Sequence, residues 1–158
     1  MTLNPLTFPR PPLIASINKQ ILIKFRGPTG PTIASTNHAQ WILETHHPPT
    51  YYIPPSSISI PLTKSPHKSY CEWKGVATYF DFVTPEARKV ERRAWTYEEP
   101  SNKYKDLKDW VCFYADERWE CYVGGELVEP QPGDFYGGWM TKDVMREGVK
   151  GAPGTRGW

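Results

Sequence analysis

Cysteine is scarce in this chain: Cys71, Cys112 and Cys121 make three, and no two of them form a C-x-x-C pair. An odd count without close spacing argues against a disulfide-stapled framework and the paired knuckles of a structural zinc site. Long hydrophobic runs are missing too, with nothing near the roughly 20 apolar residues that cross a bilayer as a helix. Pro5, Pro9, Pro11 and Pro12 interrupt the opening MTLNPLTFPRPPLIAS, and no Asn-X-Ser/Thr sequon occurs. The expectation is a cytoplasmic protein. An excess of one charge is also lacking: the net charge is +2, with both signs interspersed, so neither nucleic acid nor a membrane surface is an expected partner.

Several motifs are absent as well. There is no G-x-S-x-G elbow, Walker A sequence, G-x-G-x-x-G fingerprint or Asp-X-Asp pair. Gly27-Pro28-Thr29-Gly30-Pro31 has glycines, but its prolines remove the backbone donors a phosphate needs. His46 and His47 precede two prolines; on an extended segment they point to opposite sides and read as solvated loop residues. Chemistry without a redox cofactor or a metal is the expectation.

What the chain has is proline, 17 residues of it, and aromatics, including seven Trp and nine Tyr. Aromatic and β-branched segments broken by Pro and Gly predict a mainly β fold. We expect a compact antiparallel barrel or sandwich-like single domain over residues 17–158, with one or two short helices and a Pro-rich arm over 1–16. Ile21–Phe25, Thr32–Ser35, Cys71–Phe82 and Arg93–Tyr97 read as strands, Gln40–Thr45 as a strand or a short helical piece, and Ser65–Ser69 as a loop. Trp110–Ala115 and Arg118–Val123 read as a hairpin tipped by Asp116-Glu117, which sets Trp119, Cys121 and Val123 on one apolar face. Thr84–Arg88 predicts a capped helical turn, and Met140–Glu147 a short helix opened by Thr141.

Polar groups recur among the aromatics, as in the walls of small-molecule sites. Lys74, in CEWKGVATYFDF, is the sharpest case. It reads either as the charged group of a binding site or as one half of an ion pair with Glu44, Glu72 or Asp81 that closes the core.

The blocks PTYYIP (49–54), CEWKGVATY (71–79), AWTYEEP (94–100) and VCFY (111–114) resemble the family known as domain of unknown function 427. The ending, DFYGGW (134–139) and GAPGTRGW (151–158), is similar to that family as well. The resemblance implies a compact, mainly antiparallel β domain and carries a nucleotidyltransferase label, but no residue roles. It also sets Lys74 within a motif by which the family is recognised.

The reading that follows is a small-molecule enzyme without a redox cofactor, performing acid–base chemistry of lyase, isomerase or cyclase type in an aromatic-lined pocket. Lys74, Glu44, Glu72 and Tyr52 are the candidate catalytic residues. Tyr51, Trp73, Tyr79, Trp95, Tyr97, Phe135 and Trp139 are the candidate substrate contacts. The expected ligand has an apolar or aromatic body and an anionic or carbonyl group. The alternatives are a non-catalytic module binding a metabolite or nucleotide and, behind it, a nucleotidyltransferase or a protein-interaction domain.

Overall fold

The computed structural model describes residues 2–151, without the side chains of 134–136. Its strands in chain order are β1 (Leu13–Ser16), β2 (Ile21–Phe25), β3 (Thr32–Thr36), β4 (Gln40–Leu43), β5 (Thr50–Tyr52), β6 (Thr63–Cys71) and β7 (Gly75–Val83). They continue with β8 (Lys89–Tyr97), β9 (Val111–Phe113), β10 (Trp119–Val123), β11 (Glu126–Leu127), β12 (Glu129–Pro130) and β13 (Trp139–Met140).

The architecture is mainly β and sandwich-like, without a closed barrel among the described residues. One sheet runs β6-β7-β8-β9 and another β11-β10-β2-β3, both antiparallel. The alternation of Ile21, Ile23 and Phe25 puts all three in the core, where they meet Phe82, Val90 and Phe113 of the facing sheet. A three-stranded sheet, β1-β4-β5, closes a second and smaller core. There Ile42 and Tyr52 pack with Trp95, Tyr97 and Cys112, and the 3-10 segment Asn102–Leu107 adds Tyr104 and Leu107. The last four residues of the Pro-rich arm are β1 itself, and the Tyr104 hydroxyl donates to the Pro12 carbonyl at 2.6 Å.

Several local expectations are corrected. Cys71–Phe82 is not one strand: β6 ends at Cys71, Glu72-Trp73-Lys74 turn, and β7 begins at Gly75. Gly75 has φ +109°, a conformation that favours glycine. Ser65–Ser69 belongs to β6, an edge strand whose mostly exposed side chains give it no apolar pattern. The hairpin of β9 with β10 does not form, since β9 pairs with β8 and β10 pairs with β2. The face assignment of β10 holds nonetheless, with Trp119, Cys121 and Val123 buried. All of β9 is buried, so it has no solvent face with which to form the outer arm of a hairpin. Thr84–Arg88 is the loop between β7 and β8, closed by Thr84 N–H donating to the Arg88 carbonyl at 2.9 Å. Met140–Glu147 is no helix: Met140 ends β13, the Thr141 hydroxyl bonds the Asp143 carboxylate, and a 3-10 turn covers Arg146–Gly148. Every helix among the described residues is a 3-10 turn of three to six residues.

No helix among the described residues is long and apolar enough to cross a membrane.

Candidate functional site

The chain leaves β4 at Leu43 and turns at once, with His47 N–H donating to the Glu44 carbonyl at 3.1 Å. His46 takes φ 70° inside that turn, so Glu44 and His47 are brought to one side. From the opposite direction comes the β6–β7 turn. Ser101 clamps it, its N–H donating to the Lys74 carbonyl at 3.0 Å and its hydroxyl to the Trp73 carbonyl at 2.5 Å. Held this way, Lys74 is only 6 % exposed, and its Nζ lies 3.2 Å from Glu44 Oε1. A charge desolvated this far needs a partner, and Glu44 supplies it.

The pair sets one wall of a cavity with about 610 Å³ of unfilled space, part of it open to solvent. Tyr52, Tyr97 and Trp95 form its inner side, Tyr79 and Tyr114 flank it, and Ser69 and Tyr70 stand at the mouth. Trp95 Nε1 donates to the Tyr52 hydroxyl at 3.3 Å, with the two rings edge to face. Burial raises the Tyr52 and Tyr97 hydroxyls well above the usual phenol range, so both stay protonated and able to donate. The Tyr97 hydroxyl has no hydrogen-bond partner among the described residues.

His47 completes the polar edge. Burial above all, with Lys150, Lys74 and His46 adding to it, lowers its pKa to about 3, so the ring is neutral. The Gln131 amide nitrogen donates to the Lys150 carbonyl at 3.0 Å and contacts His47 Nδ1 at 3.2 Å. That leaves Nδ1 as the acceptor and places the ring proton on Nε2, which faces Glu44 Oε2 at 3.7 Å. Gln131, His47, Glu44 and Lys74 thus form one polar row.

Six of the residues expected at a site meet here: Lys74, Glu44, Tyr52, Tyr79, Trp95 and Tyr97. Glu72 and Trp73 do not; they lie in an outer groove with Arg10 and Lys150, on the far side of the Glu44–His47 wall. Tyr51 and Trp139 pack against each other in the main core, ring centroids 5.2 Å apart, away from the cavity. Alternation along β5 forces this, since Tyr51 and Tyr52 point to opposite faces. The side chain of Phe135 lies outside the described residues. His47 and Tyr114 were not foreseen: His47 read as a solvated loop residue, and Tyr114 as part of the hairpin arm Trp110–Ala115. Cys112 and Cys121 are buried core residues on strands of different sheets. Among the described residues no group of three metal-capable side chains exists, and the cavity lining holds one carboxylate, Glu44.

The chain belongs to the family described as a domain of unknown function, DUF427, whose model matches residues 13–124. Every residue lining the cavity falls within that span. No curated protein matches the chain.

Proposed function

We propose that this member of the family is a cytoplasmic enzyme that performs acid–base chemistry, of lyase, isomerase or cyclase type, on a small molecule held among aromatic rings. The observation that carries this reading is the Lys74–Glu44 pair, opposite charges 3.2 Å apart in the wall of an otherwise aromatic cavity. In the proposed step Glu44 takes a proton from carbon next to a substrate carbonyl. The electron pair moves onto the carbonyl oxygen, and the Lys74 ammonium and the Tyr97 hydroxyl stabilise the enolate that forms. Return of the proton to another carbon gives isomerisation; loss of a leaving group gives elimination. Neutral His47, its Nε2 3.7 Å from Glu44 Oε2, flanks the carboxylate without adding a second positive charge to it.

A non-catalytic binding module is the second reading. The ion pair itself favours it, because the Glu44 carboxylate is already engaged by Lys74 without substrate. Nucleotidyl transfer finds no support among the described lining residues, which include a single carboxylate, since that chemistry holds Mg²⁺ with several.

The test is deuterium exchange. The full chain is incubated in D₂O with a panel of small aromatic ketones, and NMR follows loss of the α-proton. The enzyme reading expects catalysed exchange with at least one compound, reduced about 100-fold or more in Glu44→Gln and in Lys74→Met. Binding of the panel without any exchange favours the module.

A further inference from the structure

Resting on the reading of this same cavity, we infer that its ligand is an uncharged, flat, one- or two-ring molecule that offers a carbonyl oxygen to Lys74 and Tyr97, and not a phosphate- or carboxylate-bearing one. The argument is one of charge and of donors left over. Among the described residues Lys74 and Glu44 are the lining's only formal charges, and they cancel. An anion entering to meet Lys74 would have to share it with a Glu44 carboxylate that is itself only 18 % exposed, and the two like charges would repel. The positive groups that suit an anion, Arg10 and Lys150, are on the other side of the wall, in the outer groove.

Donors, by contrast, are in surplus. An ammonium carries three protons, and Lys74 gives one to Glu44. The Tyr97 hydroxyl, on a residue 5 % exposed, gives its proton to no described residue. Lys74 Nζ is 6.0 Å from the centre of the Tyr97 ring, and both residues line the cavity. A carbonyl oxygen has two lone pairs and no charge, which matches two donors beside a balanced ion pair. Tyr79 and Trp95 supply the flat apolar walls.

Calorimetric titration of the full chain with three probes tests this: coumarin, an uncharged two-ring lactone; coumarin-3-carboxylate, the same rings with a charge; and AMP. Coumarin is expected to bind about tenfold or more tighter than either anion. Tyr97→Phe should weaken coumarin about fivefold, as loss of one hydrogen bond does. Glu44→Gln should reverse the preference, because an unbalanced Lys74 then favours coumarin-3-carboxylate. Tighter binding of either anion to the unmodified chain overturns the inference, and so does failure of coumarin to bind. The acid–base reading fails separately, when coumarin binds as expected and no ketone exchanges its α-proton.

Discussion

Lys74 Nζ and Glu44 Oε1 lie 3.2 Å apart although 30 residues separate them in the chain. One side chain comes from the turn between β6 and β7, the other from the turn after β4. Two sheets must therefore be docked before the pair exists, and the energetics of the pair report on that docking.

Removing one partner strands the other. Lys74→Met leaves the Glu44 carboxylate without its cation, at a cost of about 1–3 kcal/mol, less than a fully buried pair because Glu44 keeps some solvent access. The double variant Lys74→Met/Glu44→Gln should lose clearly less than the sum of the two single losses. Urea denaturation of all four proteins measures the coupling, and strictly additive losses would show that the pair carries none.

His47 makes stability depend on pH in a stated direction. Its pKa is about 3 folded, against 6.5 for an ordinary histidine. Between those values the unfolded chain binds a proton that the folded chain does not, so stability falls as pH drops from about 6.5 toward about 3. The slope from this one group is at most about 1.4 kcal/mol per pH unit. Urea midpoints taken at pH 7, 6 and 5 should decline less steeply in His47→Gln than in the unmodified protein. The His47 ring resonances should also show no titration between pH 5 and 8.

The Lys74 turn depends on its glycine. A Cβ at Gly75 would sit 3.3 Å from the Glu99 carbonyl oxygen, on a backbone already at φ +109°. Gly75→Ala is expected to destabilise by about 1–3 kcal/mol and to weaken ligand binding through displacement of Lys74. Thermal unfolding gives the first effect and coumarin titration the second. A loss of stability with unchanged affinity would separate the turn from the site.

The thiols should react in order of access. Cys112 and Cys121 are fully buried, and burial raises both thiols far above the usual range, so neither is nucleophilic near neutral pH. Half-buried Cys71 lines the cavity. Iodoacetamide labelling followed by mass spectrometry should place the first adduct on Cys71, slowed by a cavity ligand, with the other two labelled only on unfolding. Early labelling of Cys112 would mean that the second core opens readily.

Much of the β character was legible locally. The alternation of Ile21, Ile23 and Phe25 and of Trp119, Cys121 and Val123 has the period of a strand with one buried face, and both strands form as read. Their pairing was not legible. An apolar face on β10 is satisfied equally by β9 or by β2, and periodicity holds no information about which neighbour arrives. The edge strand β6 was missed for a related reason: with little to bury, its sequence is polar and looks like a loop.

The same division runs through the site. Composition and local chemistry determined that Lys74 among aromatics needs an acidic partner or a pocket, and alternation determined that Tyr51 and Tyr52 face opposite ways. Only the tertiary structure chose Glu44 over Glu72 and Asp81, sent Tyr52 to the cavity and Tyr51 to the main core, and buried His47 beside the pair. The physical reason is the range of the forces involved. Strand periodicity and turn conformation act over a few residues, whereas desolvation and ion pairing depend on which surfaces meet across the whole fold.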